Sequence, residues 1–189
     1  MKSRGVIYAK EQLKFFKKSI PSLKTILWCR MHNFMLVVGP NRQMSFLEIR
    51  TMKNDYFYLK EYRWYLDQKF AQSDKVEIKW YMIRKDIVPN STRKNWDEQC
   101  ALISEIETVP NAPEFAWAIT TYKAVRGIYL FGGICARVSS LDSGGHHVRV
   151  GYFGDKGLNI SDYWGYDCHG FLGLSVARKN DIKTLKTLK

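Results

Sequence analysis

The sequence lacks the motifs that mark a zinc knuckle, a thiol redox centre or a membrane span. Its four cysteines, Cys29, Cys100, Cys135 and Cys168, include no Cys-x-x-Cys pair, which is the usual sign of the first two. No stretch approaches the run of about eighteen apolar residues that a transmembrane helix needs. Charged residues also replace the apolar part of a signal peptide near the N-terminus. We therefore expect no membrane span, and a reduced chain in the cytoplasm or on a virus particle.

The sequence also lacks the short motifs of common enzyme classes. It has no phosphate-binding glycine loop, no Gly-x-Ser-x-Gly nucleophile motif and no helix with paired histidines. The carboxylates Asp142, Asp155, Asp162 and Asp167 are spread over several turns, whereas calcium needs about six to eight oxygen ligands in one loop. These absences predict a protein with no cofactor and no metal site.

Histidine is scarce, and three of the four histidines, His146, His147 and His169, lie within the same C-terminal stretch as Cys168. Adjacent histidines on a strand point to opposite faces, and sequence neighbours seldom reach each other as a nucleophile and its base. We therefore predict that the protein is not an enzyme and has no catalytic residues. A hydrolase or metal enzyme that uses Cys168, His169 and His147 is a third hypothesis.

Aromatic and basic residues, in contrast, are abundant. Of the 189 residues, 46% are hydrophobic and 14% aromatic, which is enough to build the core of a single domain over 1–189. The net charge of +12 makes nucleic acid or an anionic surface a candidate partner. Aromatic residues within Tyr56–Phe70 either stack on bases beside cations or form core, and this range fits helix and strand equally. The alternative function is therefore a basic nucleic-acid-binding protein, with these cations: Arg63, Lys79, Arg84, Lys85, Arg93 and Lys94.

The hydrophobic pattern of the first half predicts one helix and three strands. Lys10–Lys18 is typical of a short amphipathic helix that ends before Pro21. Thr25–Val38 and Met44–Ile49 are predicted as the two strands of a hairpin around Gly39 and Pro40. Lys75–Arg84 alternates with period two and predicts a strand whose buried side carries Val76, Ile78, Trp80 and Met82.

Two adjacent helices are predicted in the centre of the chain. Asn95–Thr108 has an apolar stripe at helical spacing, and a second helix runs from Pro113 to about Val125, with Gly127 as its C-cap. Strands follow in Ile128–Val138, around Val148 and Val150, and in Phe171–Arg178. The predicted fold class is α+β, mostly antiparallel strands with two central helices.

The segment from Cys135 to Lys179 carries a recognisable frame of apolar residues and glycine. The frame comprises Val-x-Val-Gly-x-Phe at Val148–Phe153, Gly157 with Leu158, and Trp164, and it closes on Leu-Gly-Leu-x-x-Ala-Arg-Lys at 172–179. This segment resembles the variable region of proteins diversified by a retroelement, set in a C-type lectin fold of the formylglycine-generating-enzyme subtype. Archaeal and candidate-phylum bacterial members are the most similar. The resemblance does not extend before about Val76, so it implies a scaffold portion over 1–75 and a lectin-like portion over 76–189.

The resemblance implies that codons at chosen positions within about 140–171 are randomised at adenines while the frame stays fixed. The implied frame residues are Val148, Val150, Gly151, Phe153, Gly157, Leu158, Trp164, Gly173 and Leu174. The implied variable, solvent-facing, ligand-binding residues are His146, His147, Arg149, Tyr152, Asn159, Ser161, Tyr163, Tyr166, Asp167, His169 and Phe171. Gly165 departs from the family pattern, which has an acidic residue there.

Strand geometry places one condition on this set of variable residues. On a regular strand Tyr152 shares a face with Val148 and Val150, so it reaches solvent only if a bulge forms at Gly151. Tyrosine, histidine and arginine on a rigid support give large contact area and hydrogen bonding, as in antibody paratopes. The expected function is a non-enzymatic ligand-binding protein with a hypervariable surface, whose ligand is a protein or a glycan.

Overall fold

The computed structural model describes residues 6–58, 64–161 and 169–179. Short 3-10 turns at Asn54–Tyr56 and Trp64–Asp67 flank the gap after residue 58. The helices are α1 (Lys10–Lys18), α2 (Leu23–Met31), α3 (Phe46–Met52), α4 (Lys69–Ser73), α5 (Trp96–Cys100) and α6 (Ala112–Arg126). The strands are β1 (Phe34–Val38), β2 (Met44–Ser45), β3 (Lys75–Val76), β4 (Trp80–Arg84), β5 (Glu107–Thr108), β6 (Cys135–Leu141), β7 (His147–Gly154), β8 (Gly157–Ser161), β9 (Leu172–Leu174) and β10 (Ala177–Arg178).

The strands form two four-stranded sheets and one short pair. The first sheet has the order β1-β4-β10-β5 and is antiparallel throughout. The second has the order β8-β7-β6-β9, in which only β6 and β9 run parallel. Strands β2 and β3 pair separately. The fold is therefore mixed α+β with mostly antiparallel strands, as the sequence predicts.

Helix α6 joins the two large sheets. It contacts β1 and β4 of the first sheet and β6 and β7 of the second, and Phe115, Trp117 and Ile119 on it are almost completely buried. Asn111 begins the helix by accepting a hydrogen bond from the Glu114 N–H at 2.8 Å. Gly127 ends it in the left-handed conformation, at φ 71°. The predicted helix from Pro113 and its glycine cap are confirmed.

The predicted hairpin of the N-terminal portion is wrong. Residues 25–31 belong to helix α2, which Ser22 caps and which ends just before Asn33, a residue in the left-handed conformation at φ 62°. Ser45 and Glu48 then form a reciprocal capping box that begins α3 at Phe46, so the predicted second strand is cut to two residues. Strand β1 pairs with β4, and β2 pairs with β3, instead of with each other.

Three further elements are shorter than the sequence predicts. The helix predicted for Asn95–Thr108 stops at Cys100, and its last two residues form β5. The strand predicted for Ile128–Val138 begins only at Cys135. The strand predicted for Lys75–Arg84 is interrupted between β3 and β4; Trp80 is only half-buried, while Tyr81 and Ile83 are buried. Strand β4 is packed on both faces, so a single buried side was the wrong model for it.

Candidate recognition surface

The frame residues are buried on both faces of the second sheet: Val148, Val150, Phe153 and Leu158 pack in one core cluster, and Leu174, opposite Arg137, packs in another. Val148, Val150, Phe153 and Leu174 are 0% exposed and Leu158 is 1% exposed. At two of the three frame glycines of the sheet, Gly151 and Gly173, close neighbours leave no room for a side chain. A Cβ at position 151 would lie 2.3 Å from the carbonyl oxygen of residue 134, and one at position 173 would lie 2.6 Å from the side chain of residue 87. Trp164 lies outside the described residues.

Tyr152 leaves this buried frame through a bulge in β7. The pairing of β7 with β8 shifts register between Gly151 and Gly154, and Tyr152 has φ 45°. Its side chain is 41% exposed, while its N–H donates to the Ile134 carbonyl at 3.0 Å. The condition set by strand geometry is therefore met, and the predicted exposure of Tyr152 is confirmed.

Tyr152, His169 and Phe171 form an aromatic cluster at one end of the sheet. The His169 and Phe171 rings stack with centroids 4.8 Å apart, and the Tyr152 and Phe171 centroids are 6.1 Å apart. Phe171 is 41% exposed. Its carbonyl accepts a hydrogen bond from the Cys135 N–H at 2.9 Å, which fixes it beside the start of β6. The sheet thus brings together two exposed rings that are far apart in the sequence.

Arg93 borders the aromatic cluster, although the sequence pattern placed it in a different set. Its N–H donates to the His169 carbonyl at 3.2 Å. Its side chain lies beside Gly170, and a Cβ added to Gly170 would be 3.5 Å from Arg93 Nε. Arg93 is exposed and has φ 57°. No local sequence signal identifies it, because its contact with residues 169 and 170 bridges more than seventy positions.

The predicted site residues His146 and His147 lie at the other end of β7, roughly 16 Å from Tyr152 at about 3.3 Å per residue. His146 contacts Asp142 within the β6–β7 turn, at 3.2 Å between Nδ1 and Oδ2. His147 stacks on Trp96 with ring centroids 3.4 Å apart. Burial lowers the pKa of His147, so its ring is neutral at pH 7. The three predicted site histidines therefore lie in two separate places, with His169 in the aromatic cluster and the other two at this end of β7.

Arg149 is only 5% exposed, so the prediction that it faces solvent is wrong. It lies directly opposite Arg137 of β6, and residues opposite each other share a face of the sheet. The segment around α5 covers that face, because Arg137 donates to the Lys94 carbonyl and to Gln99 Oε1, both at 2.9 Å. The alternating pattern of residues in β7 does not predict this burial, because the segment that causes it is distant in the sequence.

Of the other predicted site residues, two lie on the edge strand β8 and three lie outside the described residues. Asn159 and Ser161 are half-buried on β8, opposite Gly151 and Arg149 respectively. Tyr163, Tyr166 and Asp167 lie outside the described residues. A binding role for the predicted set stays a prediction.

Several residues of the nucleic-acid hypothesis are buried or paired with carboxylates. Phe57, Tyr65 and Phe70 are at most 5% exposed, so they are core and cannot stack on bases. Lys79 forms a salt bridge with Glu114 at 3.0 Å, and Arg84 forms one with an exposed carboxylate at 2.6 Å. Lys85 is partly buried, Lys94 is half-buried and Arg63 lies outside the described residues.

Among the described residues, the thiols are not ionised and the thiols, imidazoles and carboxylates form no metal-binding cluster. Burial raises the pKa of Cys29 and Cys100, and it raises the pKa of Cys135 to about 12, so these three thiols are protonated at neutral pH. Cys168 lies outside the described residues. Within residues 6–58, 64–161 and 169–179, no group of three or more His, Cys, Asp or Glu residues could hold a metal ion.

Comparisons with protein-family models, with curated proteins and with solved structures give no match to this chain. The described helices include none that is long and apolar enough to cross a membrane. The functional interpretation of the site therefore depends on its own residues.

Proposed function

We propose that this chain is a non-enzymatic binding protein with a C-type-lectin-like fold, and that it recognises a protein or glycan through the aromatic cluster. The observation that carries this proposal is the exposure of Tyr152 and Phe171, each 41%, in a cluster anchored by main-chain hydrogen bonds. Aromatic rings at fixed positions bind with little loss of side-chain entropy, which is why they dominate paratopes and interface hot spots.

The backbone conformation around the cluster supports the same proposal. Tyr152 and Arg93 both adopt left-handed backbone angles, a conformation that costs about 1–3 kcal/mol for residues other than glycine and is concentrated at functional sites. Arg93 adds a planar cation with several hydrogen-bond donors beside the rings. Aromatic area and a guanidinium together suit a polar protein surface or a sugar.

Diversification by a retroelement is the further part of the proposal. It is supported by the separation between a buried frame and the exposed positions 152 and 171, because exposed side chains can vary at a stability cost of about 0.5 kcal/mol or less. Arg149 fits this scheme poorly, since it is buried. The variable set that we propose among the described residues is therefore centred on Tyr152, Asn159, His169 and Phe171.

The double substitution Tyr152→Ser with Phe171→Ser tests the binding role. We expect it to change the free energy of unfolding by less than about 1 kcal/mol, since both side chains are exposed. We expect it to weaken binding at least about 100-fold, because two aromatic hot spots contribute roughly 2 kcal/mol or more each. The measurement is binding of wild type and variant to a glycan array and to an array of cell-surface and virion proteins.

The matched control is Leu27→Ser with Met31→Ser on α2, which removes a similar exposed apolar area, with side chains 47% and 74% exposed. This control is expected to bind as wild type does. The proposal is wrong if the cluster variant keeps wild-type affinity. It is also wrong if wild type binds neither array but binds single-stranded oligonucleotides with a steep salt dependence.

A further inference from the structure

A cavity lies between β1, α6 and the N-terminal segment. Its volume is about 680 Å³, within the range of roughly 300–1,000 Å³ typical of pockets for small molecules. One wall is β1 and another is the last part of α6, and the segment from Met52 to Tyr56 contributes the third. None of the residues of the aromatic cluster lines it.

The cavity is lined mostly by apolar residues, and the charged residues among them are all basic. Its walls include Met35, Val37, Trp117 and Val125 among other apolar groups. The charged residues that line it are Lys53, Lys85 and Arg126, and no aspartate or glutamate of the described part of the chain does so. A ligand that matches these walls is apolar over most of its surface and carries a negative charge.

Lys53 marks where that charge would lie. Its side chain is 8% exposed, and its Nζ lies 3.1 Å from Thr120 Oγ1, 2.6 Å from Thr121 Oγ1 and 4.0 Å from the centroid of the Trp117 ring. No carboxylate among the described residues forms a salt bridge with it. An ammonium has three N–H donors, so the two threonine hydroxyls leave one donor for an anion.

We propose that this cavity binds a small apolar monocarboxylate, with the carboxylate at Lys53 and the apolar part along β1 and α6. The class includes medium-chain fatty acids and aromatic acids. The site is separate from the proposed recognition surface and does not depend on it.

Binding should depend on the protonation of Lys53. Burial lowers the pKa of this amine to about 7, so near neutral pH it exchanges between the neutral and charged forms, and only the charged form attracts a carboxylate. The other titratable groups that line the cavity are Tyr8, Tyr56 and Tyr122 with Lys85 and Arg126. The Tyr8 hydroxyl donates to the Gly39 carbonyl, and burial raises its pKa to about 12, so it does not titrate in the same range.

The test is calorimetric titration of the full chain with decanoate and with 1-decanol at pH 7.5 and pH 8.5. We expect decanoate to bind more tightly than decanol, and its affinity to fall about eightfold between the two pH values as Lys53 loses its proton. Lys53→Met is expected to weaken decanoate at least about tenfold and to abolish the pH dependence, while decanol changes less than about twofold. Lys24→Met, which removes the same charge from an exposed position of α2, is expected to behave as wild type.

Equal affinity for decanoate and decanol would overturn the proposal, because it would make the cavity a purely apolar site. Failure of wild type to bind decanoate at millimolar concentration would overturn it as well. The pH series on wild type keeps the proposal open to refutation even if Lys53→Met does not fold: an affinity for decanoate that is the same at both pH values contradicts it.

Discussion

Replacing Gly157 by alanine is expected to remove about 4 kcal/mol of folding stability, which is enough to unfold many small domains. Gly157 has φ 99°, and a Cβ there would lie 2.5 Å from the carbonyl carbon of Phe57 and 2.6 Å from the nitrogen of Tyr58. The backbone angle costs about 1–3 kcal/mol for alanine, and forcing the two main chains apart costs a similar amount.

This contact matters because it joins the N-terminal portion to the edge strand of the second sheet. The Tyr58 N–H donates to the Leu158 carbonyl at 3.1 Å, and Trp64 Nε1 donates to the Ile160 carbonyl at 2.9 Å. Urea unfolding followed by far-ultraviolet circular dichroism measures the effect. Gly133→Ala is the control, since its Cβ would meet nothing within 4 Å. Wild-type stability of the Gly157 variant would refute the close approach.

Wild-type stability is expected to rise between pH 7 and pH 10 by roughly 3 kcal/mol relative to the Lys53→Met variant. Burial lowers the pKa of Lys53 from its ordinary value of about 10.4 to about 7. Over this interval the unfolded chain keeps the proton while the folded chain loses it, so raising the pH favours the folded state. Below pH 7 both states are charged, and the folded state bears the full desolvation cost.

The measurement is the free energy of unfolding of both proteins at pH 7, 8, 9 and 10. The methionine variant is expected to be the more stable protein at pH 7, with the difference shrinking at each step. Comparing the two proteins isolates Lys53 from groups such as Tyr8 and Tyr81, whose pKa values burial raises. A difference that does not change with pH would mean that Lys53 is solvated in the folded state.

Elements with local start and stop signals are predictable from the sequence. Helix α1 ends before Pro21, as expected. Helix α6 has Pro113 in its first turn and Gly127 as its C-cap, also as expected. The prediction of one strand over Thr25–Val38 was wrong, because a buried helix segment and a buried strand have similar apolar composition. Strand partners such as β1 with β4 were beyond prediction, since pairing depends on contacts far apart in the chain.

The candidate site divides in the same way. The buried frame of Val148, Val150 and Phe153 follows from the sequence, and so does the need for a bulge at Tyr152. The burial of Arg149 did not follow, because the segment around α5, far from β7 in the sequence, covers that face of the sheet through Arg137. Arg93 joined the aromatic cluster through a hydrogen bond that no motif encodes.

The central claim, that a fixed frame carries a diversified recognition surface, is tested most directly by sequencing the DNA that flanks the gene. We predict a reverse-transcriptase gene and a template repeat that copies the codons for about 140–171. The repeat should differ from the gene at adenines, with the differences at the codons of Tyr152, His169 and Phe171 and none at those of Val148, Val150 or Phe153. A flank without such a repeat, or a repeat whose differences fall on the buried frame, would contradict the account.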